Sequence, residues 1–284
     1  MTESTLLAGK LSIVGTPIGN LSDASPRVKE TLAAADVILC EDTRVTSKLL
    51  SAFDIHVPLQ RCDQNIIESQ IEPMLERLRA GQRVAFVSDA GMPGISDPGQ
   101  HLVDAALSEG LATEVIPGPS AVTCALVASG LASEHFFFEG FLPRKHGQIV
   151  QRLQQLAQIP GTIVLYESPF RVLATVEAIA EVFPTRQVAL VRELTKLHEE
   201  VVRDVAPCLV EILAAKENLK GECVLVIAAP ASSQEEGESQ LSLEDAIETG
   251  LAAGTRKSAL AKELAQKFGI ARDEAYQAIL AHEA

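Results

Sequence analysis

Two carboxylates and two cations lie close together in residues 40–48 of the chain, in the order Glu41, Asp42, Arg44 and Lys48. A cluster of opposite charges can form a salt-bridge network on a protein surface. It can equally provide a general base next to cations that bind phosphate groups. The residue types alone leave both interpretations open.

A second candidate segment, residues 87–99, is rich in glycine and proline and carries Asp89 directly after an apolar run. Small residues let a backbone approach a ligand closely, and Asp89 can accept a hydrogen bond from a ribose hydroxyl or an amine. Met92 offers a soft apolar contact. We therefore expect this segment to bind a small ligand, and the alternative is a long turn capped by Asp97.

Two further turns, at residues 15–21 and 117–121, are also rich in glycine and proline, and each follows an apolar run. The first lacks the Gly-x-Gly-x-x-Gly spacing of dinucleotide-binding sites, which argues against a nicotinamide-dependent enzyme. One such turn is more often structural than functional. Three of them at strand ends predict a single crevice with exposed backbone.

The second half of the chain adds mainly cations to this set. Arg144 and Lys145 follow an aromatic segment, and Arg171 and Lys196 lie in segments that close two predicted strands. We expect these four side chains to line one wall of a cleft and to hold phosphate groups.

The elements that must position these residues alternate between apolar strand-like runs and helical patterns, which predicts an α/β fold. The predicted strands are 11–15, 37–40, 84–87, 113–116, 162–166, 187–191 and 223–227. We interpret residues 1–118 and 119–230 as two α/β domains. The polar, acidic segment 231–240 has the composition of a flexible linker.

Residues 241–284 predict a small helical appendage, in which two amphipathic patterns flank a turn at Gly269, as in a helix-turn-helix. The residues expected to face inward are Ala259, Leu260, Leu264, Ala265, Ala275, Ile279 and Leu280. Five basic residues and one acidic residue lie from Arg256 to Arg272, an excess that suits contact with nucleic acid. The alternative is a solvated helical hairpin that packs on the rest of the protein.

The whole chain has 284 residues, of which 47% are apolar, and a formal net charge of −14. This charge argues against general binding to nucleic acids or membranes, so a polyanionic partner must meet a local basic patch. The five cysteines are scattered, which argues against a disulfide framework or a zinc site. We see no signal-peptide pattern and no run long enough to span a membrane, and we expect a cytoplasmic protein without a bound metal.

Seven motifs, taken together and in order, carry a resemblance to a known family. They are Gly-Thr-Pro-Ile-Gly-Asn-Leu at 15–21, Cys-Glu-Asp-Thr-Arg at 40–44, Val-Ser-Asp-Ala-Gly-Met-Pro-Gly-Ile-Ser-Asp-Pro-Gly at 87–99, Ile-Pro-Gly-Pro-Ser-Ala at 116–121, Phe-Leu-Pro-Arg-Lys at 141–145, Leu-Tyr-Glu-Ser-Pro-Phe-Arg at 165–171 and Glu-Leu-Thr-Lys at 193–196. This set closely resembles the tetrapyrrole methylase superfamily, and most closely its RNA-modifying branch. The resemblance extends from residue 11 to about residue 280.

The resemblance implies S-adenosylmethionine as the methyl donor, bound in the cleft between the two α/β domains. It also implies methylation of a cytidine ribose in the 16S rRNA of the 30S subunit, and a homodimer. Ser88-Asp89-Ala90 stands where tetrapyrrole enzymes typically have a Gly-Asp-Pro turn. This departure, the motif Glu41-Asp42-Thr43-Arg44 and the helical appendage favour RNA over a tetrapyrrole as the substrate.

The resemblance further implies roles for individual residues. The cofactor is expected to contact Pro17, Ser88, Asp89, Met92, Ser120, Ala121, Tyr166, Glu167 and Leu194. For the base that takes the proton of the 2′-hydroxyl we expect Asp42 or Glu41, and the alternative is that Lys196 supports the hydroxyl. The residues expected to bind RNA are Arg44, Lys48, Arg144, Lys145, Arg171, Arg256, Lys257 and Lys262.

Two other functions compete with this interpretation. One is a methylase that acts on a tetrapyrrole or another small molecule. The other is a non-catalytic RNA- or DNA-binding protein that uses the helix-turn-helix. The three ligand-type turns argue against the second function, because a pure binding module needs no such crevice. Binding of the cofactor in the absence of nucleic acid would separate these classes.

Overall fold

The computed structural model describes residues 9–95, 99–216, 219–230, 243–252, 255–268 and 270–282. The chain divides into two compact units, Met1–Pro230 and Ala231–Ala284. The predicted linker 231–240 lies outside the described residues, as do Asp97 and the predicted turn residue Gly269. No described helix combines the length and the apolar character that a membrane span requires.

The first sheet consists of five parallel strands in the order β3-β2-β4-β1-β5. The strands are β1 (Lys10–Val14), β2 (Val37–Cys40), β3 (Leu59–Arg61), β4 (Arg83–Val87) and β5 (Ala112–Ile116), and the connecting helices are α1 (Pro26–Ala33), α2 (Thr43–Ala52), α3 (Ile67–Arg79) and α4 (Gly99–Ser108). Every residue of β2 is buried, as expected for an inner strand that helices cover on both faces.

The helix starts in this region are set by capping residues. Ser25 precedes α1 and its side chain accepts a hydrogen bond from the amide of Val28, while Pro26 occupies the first turn. Asp42 precedes α2 in the same way and accepts from the amide of Arg44. The acidic residues 41 and 42 therefore form the connection between the end of β2 and the start of α2.

The second sheet is also five-stranded, in the order β6-β7-β10-β8-β9, with β6 parallel to β7 and the other pairs antiparallel. Its elements are α5 (Ala121–Ser129), β6 (Phe136–Phe141), α6 (His146–Leu156), β7 (Thr162–Glu167), α7 (Val172–Val182), β8 (Gln187–Arg192), β9 (Glu200–Val205), α8 (Ala206–Ala214) and β10 (Cys223–Ile227). Val122, Ala125 and Leu126 of α5 pack on one face of this sheet. Helices α6, α7 and α8 cover the other face.

The described residues of the second unit form three helices, α9 (Leu243–Ala252), α10 (Lys257–Phe268) and α11 (Arg272–His282). Their shared core contains Ile247, Leu260, Ala261, Leu264, Ala275 and Ile279. The sequence predicts α10 and α11 but not α9. Ala259 and Leu280 were expected to face inward and are exposed. Ala261 takes the place expected for Ala259, because it lies on the same helical face as Leu260 and Leu264.

The α/β fold predicted from the sequence is confirmed, and all seven predicted strands form within one residue of their expected ends. Three strands were not predicted, namely β3, β6 and β9. Each of the three lies at an edge of its sheet. Two of them, β3 and β9, contain charged or polar residues and lack the continuous apolar run of an inner strand. The apolar start of β6 is interrupted by Glu139 and Gly140.

Candidate active site

The three turns rich in glycine and proline come together because they follow three neighbouring strands, β4, β1 and β5. The amide of Thr16 donates to the carbonyl oxygen of Gly91 at 2.9 Å, and the amide of Gly91 donates back at 3.1 Å. The amide of Gly15 donates to the carbonyl oxygen of Ile116 at 2.9 Å. These bonds fix the floor of the predicted crevice.

Gly15 and Gly118 allow two of these turns to touch backbone to backbone. A Cβ atom on Gly15 would lie 2.6 Å from the nitrogen of Gly118 and 2.5 Å from the sulfur of Met92. The amide of Gly118 points at that same sulfur, at 3.1 Å. Any larger residue at either position would therefore force the turns apart.

A cavity of about 490 Å³ opens between the two sheets above this floor. Seven of the nine residues expected to contact the cofactor line it, and these are Ser88, Asp89, Met92, Ser120, Ala121, Tyr166 and Glu167. Pro17 and Leu194 are not part of its lining. The cavity thus collects residues from the ends of β4 and β7 and from the start of α5.

Sequence reasoning missed part of the lining. Phe141, Ser168 and Pro169 border the cavity, and so do residues 221–224 at the start of β10. Because β10 runs antiparallel to β7, Cys223 pairs with Glu167 and the start of β10 lies beside the end of β7. The sequence prediction considered only the carboxyl ends of strands, so it could not find the start of β10. Locating that segment requires knowing that β10 runs antiparallel to β7.

The described residues that line the cavity include acidic side chains but no lysine, arginine or histidine. The acidic residues are Glu41, Asp89, Glu167 and Glu222. Partial burial raises the pKa of Asp89, because desolvation disfavours its ionised form. Burial likewise raises the pKa of Cys223 to about 11, so that this thiol is neutral at physiological pH. Such a cavity suits an organic cation with apolar parts.

The two carboxylates of the acidic motif have different surroundings. Arg44 donates to both carboxylate oxygens of Asp42, with Nη2 2.6 Å from Oδ2, and this pairing holds the pKa of Asp42 well below its usual range. Asp42 is not part of the cavity lining, whereas Glu41 is. The amide of Asp89 donates to Glu41 at 3.3 Å, and the amide of Asp42 donates to Asp89 at 3.1 Å.

Lys196 is engaged with carboxylates beside the cavity. Its ammonium group donates to Glu193 at 2.8 Å and to Glu222 at 3.0 Å. Burial acts to lower the pKa of Lys196, but these two partners outweigh it and raise the pKa. A Cβ atom on Gly19 would lie 2.5 Å from Cγ of Lys196, so the loop at 194–196 packs directly against the first glycine turn.

Glu167 and Arg171 are engaged within the protein itself. Only 3% of Glu167 is exposed, and its carboxylate accepts from the amide of Ser168 at 2.7 Å and from the hydroxyl of Thr175 at 2.6 Å. Arg171 approaches the same carboxylate at 3.4 Å. Arg171 also donates to the carbonyl oxygen of Pro143 at 2.8 Å. These contacts fasten the turn between β7 and α7 to the segment after β6.

The other cations expected to bind RNA lie at the surface. Arg144 and Lys145 are exposed directly before α6, and Lys48 is exposed on α2. In the second unit, Arg256 and Lys262 are exposed, and Lys257 is half-buried. Among the described residues, no group of three His, Cys, Asp or Glu side chains is arranged to hold a metal ion.

Residues 10–209 match the family described as Tetrapyrrole (Corrin/Porphyrin) Methylases. A Synechocystis protein named "Ribosomal RNA small subunit methyltransferase I" is 41% identical over 277 residues, which is 97% of this chain and 99% of that protein. A Thermotoga maritima protein of the same name is 44% identical over 221 residues, 78% of this chain and 98% of that protein.

Among solved structures, the chain is similar in fold to the uroporphyrin-III C-methyl transferase from Thermus thermophilus complexed with S-adenyl homocysteine. The TM-score is 0.55 and the sequences are 18% identical, with 77% of this chain and 96% of that one covered.

Proposed function

Since the chain belongs to the tetrapyrrole (corrin/porphyrin) methylase family, we propose that it transfers a methyl group from S-adenosylmethionine to a cytidine 2′-hydroxyl in 16S rRNA. The names of its relatives, at about 40% identity over nearly the whole chain, support rRNA of the small ribosomal subunit as the substrate. The choice of a cytidine ribose rests on the resemblance that the seven motifs carry together.

The observation that carries this proposal is the charge of the cavity lining. Glu41, Asp89 and Glu222 favour a positively charged ligand, and the described lining offers no cationic side chain to an anion. S-adenosylmethionine is a sulfonium cation and fits this environment. A uroporphyrinoid and RNA are both polyanions, so the charge of the lining supports the cofactor and does not choose between these two methyl acceptors. The choice of RNA rests on the names of the relatives.

The residues present fit S-adenosylmethionine in size as well as in charge. The volume of about 490 Å³ lies within the range of about 300–1,000 Å³ typical of small-molecule sites. Asp89 is placed to accept from a ribose hydroxyl or an amine of the cofactor, and Met92, Ala121 and Tyr166 supply apolar contacts. When bound, the cofactor supplies an electrophilic methyl group.

The protein must align the ribose hydroxyl and assist removal of its proton, because a neutral hydroxyl is a poor nucleophile. We assign the role of the base to Glu41, because Glu41 lines the cavity. Asp42 instead caps α2 and forms an ion pair with Arg44. A carboxylate with a lowered pKa is also a weaker proton acceptor. Lys196 acts by holding Glu193 and Glu222 in place beside the cavity.

We place the phosphate contacts outside the cavity, at Arg144, Lys145, Arg44 and Lys48. The second unit adds further cations, Arg256 and Lys262 among them. The Thermotoga relative is covered almost entirely by 221 residues, 78% of this chain, so a protein of this name can be shorter than this chain. We therefore assign the second unit an auxiliary role in RNA binding, on the basis of its exposed cations, and no part in the chemistry. We further propose that the protein works in the cytoplasm as a homodimer.

The test is transfer of labelled methyl from S-adenosylmethionine to purified 30S subunits that lack the modification, with nuclease mapping of the label. We expect label on one cytidine ribose. Calorimetry with the cofactor alone provides the control. If the cofactor binds but neither subunits nor free rRNA become labelled, a small-molecule substrate replaces RNA. If the cofactor does not bind, a non-catalytic binding protein is the better description.

A further inference from the structure

The exposed side chain of Phe170 stands out in this chain. The sequence contains nine phenylalanines, two tyrosines and no tryptophan, yet 93% of Phe170 is accessible to solvent. A single exposed apolar residue needs no explanation by itself, but the location of Phe170 gives it significance. Phe170 directly follows Ser168 and Pro169, both of which line the cavity, so this ring is carried by the rim of the proposed active site.

A second exposed aromatic ring borders the same cavity. Phe141 ends β6, lines the cavity and is 59% exposed. Its ring centroid lies 5.7 Å from that of Tyr166, its partner on β7, with the rings tilted by 58°. Phe141 therefore presents an aromatic surface that is supported from within the protein and still open to solvent.

The segments that carry the two rings are bonded to each other. Arg171 donates to the carbonyl oxygens of Leu142 and Pro143, the residues directly after Phe141. Its own amide donates to the carbonyl oxygen of Ser168 at 2.9 Å, and the amide of Phe170 donates to the Ser168 hydroxyl at 3.4 Å. The turn that holds Phe170 outward is thus stabilised by its own hydrogen bonds.

The charge next to the rings is opposite to that of the cavity. Arg144 and Lys145 are exposed three and four residues after Phe141, whereas the described cavity lining has carboxylates and no cation. Aromatic rings beside cations are the combination with which proteins bind an unpaired nucleotide, because the base stacks and the phosphate is neutralised.

We propose that Phe141 and Phe170 hold the base of the target nucleotide out of its RNA strand, by stacking, while its ribose enters the cavity. This inference rests on the proposed function and adds an RNA-positioning role for the two rings. The ribose must reach the cavity that Phe141 borders. The base attached to that ribose therefore meets the rim, and Arg144 and Lys145 meet the flanking phosphates.

The test compares Phe170→Leu with Phe170→Tyr in methyl transfer to unmodified 30S subunits. The leucine is apolar but cannot stack, so we expect its KM to rise about ten-fold, as for the loss of one stacked base, and tyrosine to restore it. Phe141→Leu should act in the same direction. The affinity for S-adenosylmethionine should stay unchanged in Phe170→Leu, because Phe170 is not part of the cavity lining. The matched control is Val127→Ala, which alters another exposed apolar residue, 75% exposed on α5.

A fluorescent cytidine analogue at the target position of the 16S rRNA in reconstituted 30S subunits provides a direct readout. We expect its emission to change on binding to the wild-type protein and not on binding to Phe170→Leu. The inference is overturned if Phe170→Leu methylates with the wild-type KM, or if that variant alters the oligomeric mass and leaves RNA affinity intact. A wild-type protein that binds cofactor but labels no RNA would instead refute the proposed function.

Discussion

Glu167→Gln distinguishes a structural role of this buried residue from the cofactor contact that its motif implies. The substitution keeps the shape of the side chain and removes its charge. In the structure both carboxylate oxygens are used internally, by the amide of Ser168, the hydroxyl of Thr175 and the guanidinium of Arg171. We therefore expect the variant to lose stability and to keep its affinity for S-adenosylmethionine.

The magnitude follows from these three contacts. A hydrogen bond to a charged group contributes about 1.5–3 kcal/mol, and glutamine keeps only one acceptor oxygen. Its amide nitrogen must face either the Ser168 amide, which cannot accept, or the Thr175 hydroxyl, which can rotate. Arg171 also loses its anionic partner. Removing one member of a fully buried pair costs about 3–5 kcal/mol. Because the Arg171 side chain is 29% exposed, we expect a loss at the low end of this range, about 3 kcal/mol.

The assay is urea unfolding at pH 7, with the unfolding free energy taken at an unchanged m value. The matched control is Glu72→Gln, because Glu72 is 62% exposed and pairs with Arg79 at the surface. We expect no measurable change in that control. Cofactor affinity is measured on the same samples by calorimetry.

One pattern of results would refute this reasoning. If Glu167→Gln unfolds at the wild-type urea concentration and binds the cofactor ten-fold more weakly, the carboxylate contacts the cofactor. The internal bonds seen here would then contribute little to stability.

Three further predictions concern the base, the thiols and the second unit. Glu41→Gln should slow methyl transfer by about 10²–10⁴-fold at saturating S-adenosylmethionine, while Asp42→Asn should slow it far less; the reverse order would reassign the base. Burial raises the pKa of Cys62 to about 12, so very little of this thiol is ionised at pH 8. The exposed Cys208 should therefore react with a thiol reagent at least a hundred-fold faster than Cys62 at that pH, as measured by peptide mass spectrometry. Deletion of residues 241–284 should weaken RNA binding and flatten its salt dependence without changing cofactor affinity, and unchanged methylation of subunits would exclude an RNA-binding role.

The inner strands could be predicted from the sequence because burial on both faces requires a continuous run of apolar residues. Val37–Cys40 and Cys223–Ile227 are continuous apolar runs, and the structure forms both strands with those bounds. Phe136–Phe141 and Glu200–Val205 lie at the edges of the second sheet, and two of the six residues in each strand are exposed. Their patterns therefore do not distinguish a strand from a loop.

The cavity was predictable where it follows the rule that ligands meet the carboxyl ends of parallel strands. That rule found Ser88 and Asp89 after β4, and both line the cavity. It could not find Glu222, because this residue precedes an antiparallel strand whose start lies at the same edge of the sheet. The same rule could not tell which of Glu41 and Asp42 faces the cavity. That distinction depends on where α2 begins, because the helix start makes Asp42 its N-cap.

The acidity of the chain and its proposed RNA substrate are compatible because charges act locally in salt. At physiological ionic strength the interaction between exposed charges is largely screened beyond about 8 Å, so most of the net charge of −14 does not reach a phosphate held by Arg144 or Lys145. The same screening limits each cation to a small contribution. Strong binding then requires several separate contact points on one substrate. We therefore expect an acidic protein of this kind to discriminate against short free RNA and to favour a large, shaped partner such as an assembled ribosomal subunit.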